Sequence, residues 1–143
     1  WAPHPKALPH AVGNSFAKMA QKIDADFVIT QPKGYELNSE ITKNTPVIYN
    51  QEEALIGADF VYTKNWCSYN DYGKILKTDE EWMMTSEKMK LTNDAKFMHC
   101  LPIRRNIVAA DNVLDHSNSL VIEQANNRTY AAQWVLKQLL ENG

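Results

Sequence analysis

Short apolar runs rich in β-branched and aromatic residues recur along the chain: DFVIT (Asp26 to Thr30), PVIYN (Pro46 to Asn50), DFVYTK (Asp59 to Lys64), KFMHC (Lys96 to Cys100) and SLVIE (Ser119 to Glu123). They are nearly continuous rather than alternating, the pattern of strands covered on both faces. Helical spacing fills the intervals. Phe16, Met19, Ala20 and Ile23 share a face over Asn14 to Ile23, and Gln51 to Ile56 makes a short helix ending at Gly57. Thr78 and Asp79 open a further helix carrying Trp82, Met83 and Met89. Asn126 or Asn127 caps a last helix whose Ala131, Trp134, Val135, Leu136, Leu139 and Leu140 form an apolar stripe, with Gly143 beyond its end.

Strands alternating with helices predict an α/β, doubly wound, Rossmann-like domain with a mainly parallel sheet of about five strands and helices on both faces. At 143 residues the chain fits one domain with a sizeable core. Neither a repeat nor a low-complexity linker interrupts it. The chain opens on WAPHPK, Trp1 to Lys6, which reads as the end of a first strand truncated at Trp1.

Charge and cysteine usage narrow the function classes. A formal net charge of -2 provides no global attraction to nucleic acid or to an anionic membrane, so basic chemistry must be local, as at Arg104 and Arg105. Two cysteines, Cys67 and Cys100, make no disulfide framework. With no apolar run long enough for a membrane span and no secretory pattern at the N-terminus, the expected location is cytoplasmic.

Ligands of such sheets bind beyond the C-terminal ends of the strands. The candidate mouths are therefore WAPHPK, TKNW (Thr63 to Trp66), HCLPIRRN (His99 to Asn106) and EQANNR (Glu123 to Arg128). None carries G-x-G-x-x-G, a Walker-A loop or G-x-S-x-G, which argues against dinucleotide, nucleotide and serine-hydrolase sites. His99 and Cys100 are adjacent on an extended segment, project to opposite faces and make a poor nucleophile–base pair. A zinc site from His4, His10, His99 and Cys100 lacks paired ligand spacing, so no metal is expected. Cys100 is equally readable as a small buried residue. A cis Leu101–Pro102 bond would turn nearby carbonyls toward a ligand's NH2 group. Arg128 is either a surface charge or a cation for a carbonyl oxygen that becomes negative during acyl transfer. Lys64, beside Asn65 and the aromatic Trp66, suits a carboxylate or simply snorkels into water. His4, between two prolines, is a rigid donor or a turn residue.

HCLP at 99 to 102, the following Ile103-Arg104-Arg105-Asn106, and E-x-A-x-N-R at Glu123 to Arg128 together resemble the carbamoyltransferase family. WAPHPK, YTKNW and HCLPIRRN look like its branch acting on N-acetyl- or N-succinylornithine. The likeness covers essentially the whole chain, and implies the second, amino-acid-binding domain (residues 1–143) of a two-domain enzyme. The S-x-R-T and H-P-x-Q motifs of the first, carbamoyl-phosphate-binding domain do not occur here, and HPK at His4 to Lys6 is not their equivalent. By resemblance, the Cys100 and Leu101 carbonyls, presented by a cis bond to Pro102, hold the carbamoyl NH2, and Arg128 holds the carbamoyl oxygen. Lys64 binds the acceptor's carboxylate or acyl end. Arg104, His4, His99, Asn65 and Trp66 complete the pocket. Val108 stands where some acetylornithine members carry a lysine that can be carboxylated, so that device is not expected. Pro9 replaces a polar residue that touches substrate in some acetyl-specific members.

The resemblance implies transfer of the carbamoyl group from carbamoyl phosphate to the δ-amine of an N-acylornithine in arginine biosynthesis. It implies no cofactor, a homotrimer in the complete enzyme, and no nucleic acid or membrane partner. The chain alone is expected to be inactive. The rival reading is a stand-alone, non-catalytic small-molecule-binding or interaction module of the same fold.

Overall fold

The computed structural model describes residues 1–76 and 80–142. Among the described residues, four short strands form two parallel pairs. Strand β1 (Ile29–Thr30) lies beside β2 (Val47–Ile48), with Ile29 opposite Val47. Strand β3 (Phe60–Tyr62) lies beside β4 (Lys96–Met98), with Val61 opposite Phe97. The helices between them are α1 (Ala11–Ala20), α2 (Ser39–Thr42), α3 (Gln51–Leu55), α4 (Ser86–Met89), α5 (Asp111–Leu114) and α6 (Val121–Asn142), with a 3-10 turn at Glu80–Trp82. Among the described residues no helix is long and apolar enough to cross a membrane.

The expected sheet of about five strands is thus resolved into two pairs, and residues 1 and 2 join them. The Trp1 amino group donates to the Thr30 carbonyl at 2.6 Å, and the Ala2 amide donates to the Lys64 carbonyl at 3.1 Å. Both residues are buried. Trp1 therefore belongs to the core formed with Ala17, Ile29, Tyr35, Leu37 and Trp66, its ring edge-on to Tyr35 at 5.0 Å between centroids. A second core packs Leu55, Val61, Met84, Phe97, Val113 and Val121 around β3 and β4.

SLVIE is not a fifth strand. Ser119 makes one parallel bridge to Phe97, and the Leu120 amide donates to the Phe97 carbonyl at 2.8 Å. Val121 to Glu123 then enter α6, so Asn126 and Asn127 lie inside the helix rather than capping it. A short apolar run is ambiguous between strand and helix by periodicity alone. Here the long helix-compatible stretch that follows captures it.

Helix α1 starts and ends earlier than its apolar spacing predicts, and it buries Gly13, Ala17 and Ala20 while Met19 is exposed. The small residues permit close approach: a Cβ on Gly13 would stand 3.2 Å from the Trp66 ring. The helix start expected at Thr78 and Asp79 and the end at Gly143 lie outside the described residues. Trp82 closes the 3-10 turn, and α4 begins afresh behind Thr85, whose side chain accepts from the Lys88 amide. The Lys88 ammonium ties this segment down, donating to Gln51 Oε1 at 2.6 Å, to the Met83 carbonyl at 3.1 Å and to the Glu81 carbonyl.

Candidate functional site

The C-terminal ends of β3 and β4 open on the same side because the strands are parallel and in register. Beyond β4 the chain runs through His99 and Cys100 into a cis Leu101–Pro102 bond, with Leu101 at φ 48°. The buried His99 fixes this turn, because its Nδ1 accepts from the Leu101 amide at 3.0 Å. An accepting Nδ1 leaves the neutral ring with its proton on Nε2. Burial lowers the His99 pKa to about 4, and the nearby charges of Lys64 and His4 push the same way. Among the described residues no donor bonds to the carbonyls of Cys100 or Leu101.

Beyond β3, Lys64 stands half-buried with no carboxylate partner among the described residues. His4 approaches from the N-terminal segment, its Nδ1 accepting from the Lys6 amide at 3.1 Å. Its pKa is held below the ordinary imidazole value, by desolvation first; the Lys6 carbonyl opposes this, while Lys64, Arg104 and Lys6 add to it as cations. Lys64 and Arg104 are near enough to act on His4, and Lys64 and His4 on His99, at the mouth where β3 and β4 end. Protonation is thereby disfavoured at both imidazoles, which leaves Lys64 and Arg104 as the cationic side chains here. The mouth is suited to a carboxylate-bearing ligand.

Asn65 and Trp66, next to Lys64, are buried and hydrogen-bonded to the core. Asn65 Nδ2 donates to the Ala2 carbonyl at 2.9 Å, and Trp66 Nε1 donates to the Tyr35 carbonyl at 2.7 Å. The Ala2 residue that Asn65 binds also holds the Lys64 carbonyl through its amide. Pro102 and Arg104 are exposed at the rim. Val108 is buried, its carbonyl accepting from the Met84 amide at 3.0 Å.

Arg128 does not follow a strand. It stands exposed in α6, one helical turn beyond Gln124. Gln124 matters because its side chain lies beside the Tyr62 hydroxyl, as does the Cys100 thiol. Burial raises the Tyr62 phenol well above its usual range; the neighbouring thiol raises it further, and the Gln124 amide opposes the shift. Since residues four apart share a helix face, Arg128 projects from the Gln124 side of α6. Tyr62 and Gln124 were not anticipated. The available signal was the strand alternation that puts Tyr62 on the same face as Lys64.

The profile of the aspartate/ornithine carbamoyltransferase Asp/Orn binding domain matches residues 10–139. The chain belongs to the carbamoyltransferase family. It is 51% identical to an N-succinylornithine carbamoyltransferase of Bacteroides fragilis over 99% of this chain and 45% of the relative. Identity to an N-acetylornithine carbamoyltransferase of Xanthomonas campestris is 31%, over 98% of this chain and 47% of that protein. Among solved structures, a mutant N-acetyl-L-ornithine transcarbamylase complexed with carbamyl phosphate and N-succinyl-L-norvaline superposes with a TM-score of 0.82 at 32% identity, covering 90% of this chain and 44% of the other. The chain is thus a carbamoyltransferase α/β unit that spans about half the length of the curated relatives it matches.

Proposed function

We propose that the chain is the acceptor-binding half of a carbamoyltransferase that moves the carbamoyl group from carbamoyl phosphate to the δ-amine of N-succinyl-L-ornithine. The observation that carries the reading is the pairing of two unneutralised cations, Lys64 and Arg104, with the turn at Cys100 to Pro102 on one mouth. An N-succinyl acceptor bears two carboxylates, and two cations match it. The 51% identity to an N-succinylornithine enzyme, against 31% for an N-acetylornithine one, supports the same choice.

In this reading the carbonyls of Cys100 and Leu101 accept from the carbamoyl NH2, and Arg128 donates to the carbamoyl oxygen as it gains charge. The neutral δ-amine attacks the carbonyl carbon, a C–N bond forms, and the tetrahedral intermediate breaks its C–O bond to release phosphate. The amine's proton leaves with phosphate, and the product is an N-acylcitrulline. His99, held neutral, supplies an uncharged Nε2–H instead of a third cation. Carbamoyl phosphate finds its phosphate partners in the other half of the complete enzyme, which this reading takes to be a cytoplasmic homotrimer of arginine biosynthesis engaging neither nucleic acid nor membrane. The bare apolar stripe of α6 supports a chain that works joined to another domain.

Steady-state kinetics on the full-length enzyme test this. The expected kcat/KM favours N-succinyl- over N-acetyl-L-ornithine, and Lys64→Gln raises the acceptor KM by about tenfold while leaving the carbamoyl phosphate KM unchanged. Equal use of both acceptors would remove the succinyl assignment. No carbamoyl transfer at all would leave the rival, a non-catalytic binding module.

A further inference from the structure

The adjacent arginines have different surroundings. Arg105 is fully engaged: Nη1 and Nη2 fork onto the two carboxylate oxygens of Asp115 at 3.0 and 2.6 Å, and Nη1 also donates to Asp111 at 2.8 Å. Arg104 has no carboxylate partner among the described residues and lies close enough to His4 to depress its protonation.

The segment that carries both is closed on itself. Asn106, at φ 56°, accepts from the Asp111 amide at 3.0 Å and donates to the Asp111 carboxylate at 2.8 Å. The Arg104 carbonyl accepts from the amide of buried Val108 at 2.9 Å, and the Asn106 amide donates to the Ala109 carbonyl at 2.7 Å. Val108 and Ala109 are tied to Met84 in the core by a bridge and backbone bonds. The clasp around Arg105 therefore fixes the backbone from which Arg104 projects, and it joins that backbone to α5 at both Asp111 and Asp115. Consecutive residues point apart, so one guanidinium can face the clasp while its neighbour faces the mouth.

We propose that Arg105 is a positioning residue for the acceptor site, aiming Arg104 at a carboxylate of the substrate. The proposal rests on the acceptor-binding reading above. It explains the doublet: one arginine is spent on structure so that the backbone of the other is fixed, with no carboxylate partner of its own among the described residues. A lysine cannot replace Arg105, because a point charge cannot span two carboxylates with a planar fork.

The test is a double-mutant cycle in the full-length enzyme with Arg104→Gln, Arg105→Lys and the pair. Arg105→Lys keeps the charge and loses the fork; the acceptor KM is expected to rise by about tenfold, with kcat and the carbamoyl phosphate KM within about twofold of the parent. In the Arg104→Gln background the same change is expected to add less than about twofold. An unchanged acceptor KM in Arg105→Lys overturns the proposal, as does an equal loss with and without Arg104. If Arg105→Lys fails to fold by circular dichroism, Asp115→Asn, which keeps Arg105 and its bond to Asp111, is read by the same criteria. Arg104→Gln alone reports on the underlying reading: if it leaves the acceptor KM unchanged, the acceptor site itself is misplaced.

Discussion

His99 shows how burial sets chemistry at a single residue. Its folded pKa of about 4 lies below the ordinary 6.5 because the ring is buried beside Lys64 and His4. Between those values the unfolded chain binds a proton that the folded chain excludes. Stability from this group is therefore intact above pH 6.5 and is lost as pH falls toward 4, by on the order of 3 kcal/mol in total. His99→Asn keeps an oxygen to accept from the Leu101 amide and removes the titration. Denaturant unfolding of the 143-residue chain at about pH 7 and about pH 5 should show a smaller loss in this variant than in the parent. The buried α-amino group of Trp1, lowered to about 5, titrates in both and cancels in the difference. Parallel losses would mean that His99 protonates normally. At the residue scale a backbone turn was legible: HCLP pointed to the cis Leu101–Pro102 bond that the chain adopts. A residue's surroundings were not legible where two like residues share a motif. Only the Asp111 and Asp115 carboxylates, six and ten residues on, tell Arg105 from Arg104.

At the scale of elements, short runs were read well when punctuation bounded them and poorly when it did not. Gln51 to Ile56 was bounded, and α3 forms behind Asn50, whose side chain accepts from the Glu52 and Glu53 amides. Gly57 then turns the chain toward β3 at φ 71°, where an added Cβ would meet nothing within 4 Å. The penalty of a side chain there is conformational rather than steric. Gly57→Ala should cost about 1 kcal/mol, and Gly57→Asn less, because Asn tolerates the left-handed region. Equal stability of the glycine and alanine proteins in urea titrations would show that the turn relaxes freely. SLVIE had no such boundary. Its β-branched residues read as a strand, and they became the first turn of α6 because nothing between Leu120 and Gln124 stops the helix. That shift relocated Arg128 from a strand mouth to a helix face, so its mounting was not legible.

For the whole molecule, the decisive fact is how unevenly it is covered. Both cores lie around the strand pairs, while α6 leaves Trp134 at 64% and Leu140 at 76% exposure. Parallel α/β architecture was legible from the continuous apolar runs, since strands buried on both faces need no polar alternation. The split into two pairs was not, because pairing across residues 1 and 2 depends on tertiary hydrogen bonds that leave no local pattern. The same unevenness limits function. Under the proposed function the mouth gathers cations for an acceptor, but a phosphorylated donor brings its own negative charge, and Lys64 and Arg104 would already be engaged by the acceptor. Arg128 is exposed on α6, where water screens its charge. The chain alone is therefore expected to bind N-succinyl-L-ornithine measurably by calorimetry, with binding abolished in Lys64→Gln/Arg104→Gln. Its carbamoyl transfer, followed as citrulline release, should fall to no more than about a thousandth of the full-length rate. Turnover near the full-length rate would show that these residues hold a complete site. Acceptor binding that survives the double substitution would move the site away from this mouth.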